Sequence, residues 1–96
     1  MIFKWDENKN LSNIRKHGIN FNTASYVFND PDALFSQDRI ENGEERWQAI
    51  GMIDGIMMVL VAHTYIDDGE SEVIRIISAR KANQKEKKNY VSKTYK

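Results

Sequence analysis

The segment Asp54-Gly55-Ile56-Met57-Met58-Val59-Leu60-Val61-Ala62 decides the fold. Aspartate and glycine both tolerate the positive φ of a type I′ turn, so Asp54-Gly55 predicts a hairpin between strands at 46–53 and 56–65. The apolar run after the turn has no polar face, which is typical of a strand that is covered on both sides. We therefore predict that 56–65 is the central strand of a sheet.

Two further strands are predicted around this hairpin, at 33–37 and 72–78, with a second turn at 67–70. Connections this short favour an antiparallel meander, because parallel strands need longer crossovers. Residues 2–5 form a short strand or an apolar lead-in. The predicted fold is α+β: a small antiparallel sheet with two N-terminal helices and one C-terminal helix.

The helices are predicted from their end signals. Asp6 is a natural N-cap for a first helix that ends at Gly18, with Leu11 and Ile14 as its apolar stripe. A second short helix begins with Asn22 as its cap, Phe21 and Tyr26 forming a hydrophobic staple around it, and Asn29-Asp30-Pro31 ends it. Residues 80–92 form the terminal helix.

Composition limits the class of protein. The chain has 96 residues, 41% of them hydrophobic, which suits one domain (1–96) with one modest core. No apolar run approaches a membrane span and no signal peptide begins the chain, so we expect a cytoplasmic protein without membrane contact. There are no cysteines, and the two histidines lie 46 positions apart with no recognisable carboxylate spacing around them. We expect neither a metal nor another cofactor.

The formal net charge of zero hides a strong segregation of charge. Residues 1–28 carry a net charge of +2, residues 29–72 carry −9, residues 73–79 carry +1 from Arg75, and residues 80–96 carry +6. Such a distribution favours a basic face that binds a polyanion or an acidic partner. Alternatively, the acidic middle of the chain folds over the basic tail and neutralises it.

The stretch from Arg75 to Ala82 carries the strongest functional signal, because arginines, serine and lysine meet where a strand runs toward a helix. Arginine matches phosphate oxygens with its planar fork. The alternative is a strand whose charged ends are simply solvated. In a regular strand Arg75 and Arg80 point to opposite faces, unless a bulge or the strand end intervenes.

Other side chains are candidates for the same chemistry, each with a structural alternative. Arg46 contacts phosphate or pairs with a glutamate, and Glu44 acts as a general base or orients Arg46. His17 acts in catalysis or caps a helix end, beside the mobile cation of Lys16. His63 is catalytic or an ordinary half-buried core residue.

An ordered set of motifs spans most of the chain and resembles the BrnT family of toxins. The matching features are Phe3-x-Trp5-Asp6, Asn13-x-x-Lys16-His17-Gly18-x-x-Phe21, Ala24, Val27-Phe28-x-Asp30-Pro31, Gly43-Glu44-x-Arg46, Ile50-Gly51, the run from Arg75 to Ala82, Glu86 and Tyr90.

The resemblance implies a RelE-like fold and a ribonuclease that arrests translation and growth as the toxin of a type II toxin-antitoxin system. It also implies a BrnA-type antitoxin that inactivates the toxin in a hetero-oligomer and contacts operator DNA through its own domain. Metal-free RNA cleavage needs a proton acceptor, a proton donor and cations near phosphorus. The catalytic candidates are Arg80, Arg75, Arg46, Glu44, His17 and His63, and the RNA-binding candidates are Lys16, Ser78, Lys81, Lys85 and Tyr90.

Two other classes of function fit the same residues less specifically. A non-catalytic module that docks an antitoxin-like DNA-binding partner, and so assists operon repression, would use the same basic surface. A protein that binds DNA by itself is disfavoured because the sequence contains no recognition-helix pattern.

Overall fold

One mixed sheet and three α-helices make up the fold. The computed structural model describes residues 1–67, 69 and 72–94. The sheet order is β1-β5-β4-β3-β2. The strands are β1 (Ile2–Lys4), β2 (Leu34–Glu41), β3 (Glu44–Ile53), β4 (Met57–Asp67) and β5 (Glu72–Lys81); the helices are α1 (Glu7–His17), α2 (Phe21–Ala24), which continues into a 3₁₀ helix (Ser25–Asn29), and α3 (Gln84–Thr94).

The predicted α+β class and the antiparallel meander of β2 to β5 are confirmed, and β4 is the central strand. Asp54 and Gly55 adopt φ values of 54° and 66°, and the Ile56 N–H donates to the Ile53 carbonyl at 3.0 Å. The hairpin that organises the meander therefore forms as predicted. The predicted turn at 67–70 includes residues outside the described part of the chain, so it stays a prediction.

Strands β2 and β3 both extend further toward the turn that joins them than predicted. Asn42 and Gly43 adopt φ values of 54° and 77° and join β2 to β3 directly. Asn-Gly is a strong hairpin signal, yet the polar residues on both sides of it do not read as strands. They belong to strands because β2 is an edge strand with mostly exposed side chains.

The N-terminal segment is a true strand and adds a parallel edge to the sheet. Phe3 pairs with Ile74, and its neighbours continue the parallel register along β5. Because β1 is only three residues long, it covers only the first part of β5.

The boundaries of α1 are as predicted, but its apolar stripe is wrong. Asp6 Oδ1 accepts hydrogen bonds from the backbone of Asn8 and Lys9 at 2.8 and 3.3 Å, and Gly18 ends the helix at φ 72°. Leu11 and Ile14 are 46% and 39% exposed, so they do not anchor the helix.

A buried polar side chain, Asn13, ties α1 to the sheet instead. Its Nδ2 donates to the carbonyls of Ile19 and Ala79, each at 2.8 Å, and its Oδ1 accepts from the Ala79 N–H at 3.0 Å. The side-chain amide therefore forms a backbone-like pair with β5, beyond the reach of β1.

The second helix begins two residues earlier than predicted. Its N-cap is Asn20, whose Oδ1 accepts from the Thr23 N–H at 2.7 Å. The predicted cap at Asn22 and the staple of Phe21 with Tyr26 are wrong: Phe21 is completely buried and Tyr26 is 52% exposed. The earlier start directs Phe21, Ala24 and Val27 toward the core, because residues three apart share a helix face.

The terminal helix starts four residues later than predicted, because β5 continues through Lys81. The Ala82 N–H donates to the Met58 carbonyl at 2.9 Å. Asn83 and Glu86 then form a reciprocal capping box, with bonds of 2.8 and 2.9 Å between each side chain and the other backbone N–H. Arg80 consequently belongs to the strand and not to a strand-to-helix turn.

The core lies between the helices and one face of the sheet. Its buried members are Ile19, Phe21, Ala24, Val27, Ala49, Ile53, Val59, Val61, Ile74, Ile76 and Ala79. We call the opposite face of the sheet the open face. It carries the even-numbered side chains of β4, because successive residues of a strand alternate.

Asp30 joins three elements below the core. Its Oδ2 accepts from the Met52 N–H and from the Tyr90 hydroxyl, both at 2.7 Å, and its Oδ1 accepts from the Asp32 N–H at 2.9 Å. Burial acts to raise the pKa of Asp30, but these bonds outweigh it and the pKa is lowered. The Asp30 carboxylate thus holds α3 against β3.

Gly51 permits this close approach. A Cβ at position 51 would lie 2.9 Å from Val27 Cγ1, 3.1 Å from the Val27 carbonyl oxygen and 3.2 Å from Asp30 Oδ2.

We expect Gly51→Ala to lower the free energy of unfolding by about 1 to 3 kcal/mol, the usual cost of overpacking, as measured by urea denaturation. In a Val27→Ala background the cost should be smaller, because the nearest atom is gone; an undiminished cost would contradict the steric explanation.

Candidate active site

A bulge in β5 creates the candidate site. His63 pairs with Ile76 and Ala62 pairs with Ser78, so Ile77 is an extra residue in β5. Arg75 is paired with Thr64 and Arg80 with Leu60. Thr64 and Leu60 lie on the same face of β4, so the bulge directs both arginines toward the open face. The bulge interrupts the alternation of side chains that would have placed Arg75 and Arg80 on opposite faces.

The open face contains a groove of about 220 Å³. Arg46 and Gln48 of β3 contribute to it, and Ser78 and Arg80 contribute from β5, across the small apolar floor of Leu60 and Ala62. The remaining lining residues are Asp38, Arg39 and Ile77. The sequence-predicted residues Arg46, Ser78 and Arg80 are therefore brought together.

Arg80 is held firmly by Glu86. Its Nη1 and Nη2 donate to the two carboxylate oxygens, each at 2.8 Å, and Nη1 also lies 3.3 Å from the Lys81 carbonyl. These bonds raise the pKa of Arg80, and the same hydrogen bonds from Arg80 lower the pKa of Glu86 against the opposing effect of burial. Arg80 is a permanent cation of fixed orientation at one end of the groove.

Arg75, Arg46 and Glu44 form a second cluster. Glu44 Oε1 lies 2.5 Å from Arg75 Nη2 and 3.6 Å from Arg46 Nη2. The predicted alternative of an arginine–glutamate pair is thus present, and Glu44 orients both arginines. Thr64 and Leu60, the partners of Arg75 and Arg80, are four residues apart along β4, or about 13 Å in an extended strand. The two clusters lie at different ends of the face.

Lys16 and His17 lie on the other side of the bulge. They line a pocket that also includes Asn13, Ile77 and Ser78. Because Ile77 and Ser78 line both this pocket and the groove, the two are adjacent. Both basic side chains are exposed, and the Asn13 bonds fix the helix that carries them.

His63 is separated from all of these groups. It is completely buried, its Nδ1 lies 3.2 Å from the Val61 carbonyl, and the rings of Phe28, Phe35 and Tyr65 surround it edge-on. Burial lowers its pKa. His63 therefore lies in the core, on the face of the sheet away from the groove.

The other RNA-binding candidates occupy different positions. Tyr90 is 6% exposed and its hydroxyl bonds to Asp30, so its position is structural. Lys81 and Lys85 are exposed near the start of α3, and Lys81 lines a separate apolar pocket with Met57 and Met58. Gln48 and Thr64 were not candidates from the sequence, because both are uncharged and their place beside the arginines depends on the register between strands.

Within residues 1–67, 69 and 72–94, which the structure describes, no helix combines the length and the apolar character needed to cross a membrane. Nor do three His, Asp or Glu side chains meet there in a cluster that would hold a metal ion.

The fold and the groove define a small α+β protein whose open face carries arginines that are paired with carboxylates. Residues 5–86 match the family model of the ribonuclease toxin BrnT of type II toxin-antitoxin systems. That match covers most of the chain, which therefore belongs to the BrnT family.

A solved structure agrees with this assignment. The crystal structure of the Brucella abortus ribonuclease toxin BrnT is 28% identical in sequence and superposes with a TM-score of 0.67. The match covers 88% of this chain and all of that one. The search of curated proteins found no significant match.

The Arg80–Glu86 pair predicts a pH-dependent stability. Because the folded-state pKa of Glu86 is lowered, its contribution is complete above the unfolded-state pKa and is lost as the pH falls through the folded-state value. Glu86→Gln should therefore cost about 1 kcal/mol at neutral pH, a value kept small because Arg80 is partly solvated. In urea unfolding, the difference in free energy of unfolding between Glu86→Gln and the parent should be smaller in acid than at neutral pH. Glu45→Gln, at an exposed carboxylate, is the control; equal costs at both pH values would contradict the prediction.

Proposed function

We propose that this chain is a metal-independent endoribonuclease that cleaves messenger RNA across the open face and so arrests translation and growth. The observation that carries the proposal is the bulge at Ile77, which aligns Ser78 and Arg80 with Arg46 around one groove. Membership in a family of ribonuclease toxins supplies RNA as the substrate class.

The proposed reaction uses the 2′-hydroxyl of the RNA as an internal nucleophile. Its oxygen attacks the adjacent phosphorus as its proton passes to His17, the bond from phosphorus to the 5′-oxygen breaks as that oxygen takes a proton from water, and the products are a cyclic phosphate and a 5′-hydroxyl. Charge builds on the phosphate oxygens in the transition state. Arg80 stabilises that charge, because it is a fixed donor and needs little reorganisation. No step in this scheme requires a metal.

His17 is the proposed proton carrier. It is exposed and adjoins the groove through Ser78, whereas His63 is buried. Glu86 is a poor base because its pKa is lowered, and Glu44 is engaged by two arginines. Lys16 beside His17 adds a cation for the RNA backbone, and Lys81 and Lys85 add exposed cations near the start of α3.

The partner is proposed to be a BrnA-type antitoxin that covers the basic face in a hetero-oligomer. Type II toxin-antitoxin systems contain such a protein partner, which supports this part of the proposal. Contact with operator DNA would then pass through the antitoxin. The site of action is the cytoplasm, where translated RNA is found.

Arg80 provides the first test. Arg80→Ala should reduce RNA cleavage by about 10² to 10³, the usual effect of losing one preorganised donor, and should abolish growth arrest when the chain is expressed alone. Cleavage is measured on purified protein with chelator present, and folding by circular dichroism. Arg15→Ala, at an exposed arginine of α1 that does not line the groove, is the matched control and should retain cleavage and growth arrest.

Normal growth at confirmed expression of the parent chain, with no cleavage in vitro, would refute the enzyme and favour a non-catalytic module that docks an antitoxin-like DNA-binding partner. Loss of cleavage only together with loss of the folded signal would make Arg80 structural.

His17 provides a separate prediction. His17→Ala should slow cleavage by about 10² to 10⁴, the range for general acid–base catalysis. Single-turnover rates at saturating protein concentration measure this loss. Lys16→Ala is the comparison, since it should weaken RNA binding without slowing the cleavage of bound RNA. A His17→Ala rate equal to that of the parent would exclude the assignment.

A further inference from the structure

The row Arg46, Thr64 and Arg75 crosses three neighbouring strands on the open face. Thr64 pairs with Arg75, and Trp47 pairs with His63, so Arg46 lies opposite Thr64 in the continued antiparallel register. Two arginines from β3 and β5 therefore flank one hydroxyl of β4. Because Arg46 also lines the groove, the row lies at the end of the groove opposite Arg80.

Two polar atoms in the row are buried without a partner. Thr64 is completely buried, and neither its Oγ1 nor Arg46 Nε has a hydrogen-bond partner within the described part of the chain. Glu41 Oε2 lies 3.9 Å from Arg46 Nε, which is too far for a hydrogen bond. Buried polar groups in native proteins are nearly always satisfied, so unpartnered ones beside two cations indicate a missing anionic acceptor.

Glu44 shows which kind of ligand the row accepts. Its Oε1 is shared by the guanidinium groups of Arg75 and Arg46, at 2.5 and 3.6 Å, so the carboxylate lies between them. It does not satisfy Thr64 or Arg46 Nε. A phosphate group has more acceptor oxygens than a carboxylate, and arginine binds both in the same forked geometry.

We propose that Arg46, Thr64 and Arg75 form a second phosphate-binding subsite, which takes an RNA backbone phosphate distant from the cleaved one and which Glu44 occupies in the free protein. The proposal rests on the proposed ribonuclease function, because it assigns a binding position to the same RNA strand. It makes Glu44 an internal competitor of RNA.

Thr64→Val gives the most direct test, because valine keeps the shape and removes only the hydroxyl. The probe is a single-stranded RNA that is 2′-O-methylated throughout, so that binding is measured without cleavage. We expect the Kd to rise about tenfold, the value of one hydrogen bond to a charged group, while thermal stability stays equal or increases. Thr94→Val, which removes another buried unpartnered hydroxyl at the end of α3, should leave the Kd unchanged.

The charged members of the row give effects of opposite sign. Arg75→Gln should weaken binding and reduce the slope of log K against log salt by about 0.7, the value for one phosphate contact on a single strand. Glu44→Gln should tighten binding severalfold, because the competing carboxylate is neutralised. Glu45→Gln, on the same strand with its side chain on the other face, removes the same charge and should have a much smaller effect.

The outcomes separate this proposal from the enzyme itself. Unchanged binding by folded Thr64→Val, or weaker binding by Glu44→Gln, would overturn the subsite and make Glu44 a structural brace, while cleavage by the parent chain would still support the ribonuclease. Absence of cleavage by the parent chain, with the expected changes in binding, would refute the ribonuclease and retain the phosphate subsite.

Discussion

The extra residue in β5 is the constraint on which the rest of the candidate site depends. Without the bulge at Ile77, Arg75 and Arg80 would lie on opposite faces, and one of them would point into the core beneath the helices. With the bulge, Ile76 and Ala79 both point into the core, and Arg80 points toward the groove. One insertion thus preserves the packing of the core and brings the candidate site residues to one face.

The cations of the open face are held by carboxylates before any ligand arrives. Glu86 binds Arg80 with both oxygens, and Glu44 bridges Arg75 and Arg46. The acidic and basic segments of a chain of zero net charge therefore meet side by side on this face. The pairing also limits the entropy that the arginine side chains would lose on binding a phosphate group.

Much of the fold followed from local signals, whereas the site required tertiary information. Asp54-Gly55, Asp6 and Gly18 act through their own backbone preferences, so the hairpin and the first helix were predictable. Asn20 displaced Asn22 as a cap because only the earlier start buries Phe21. The bulge could be named as a possibility but not located, since register depends on the partner strand. The role of Thr64 likewise depends on which residues flank it in space.

Asn13 has a consequence for assembly. The backbone groups along the outer side of a terminal strand are a template on which another chain can form β-structure. Beyond the three residues paired with β1, that side of β5 would offer Ala79 to any extended segment. The Asn13 amide already supplies the donor and the acceptor that a neighbouring strand would provide. The Asn13 side chain therefore occupies the backbone groups of Ala79 as a residue of a neighbouring strand would, so another chain cannot pair with the sheet at this position.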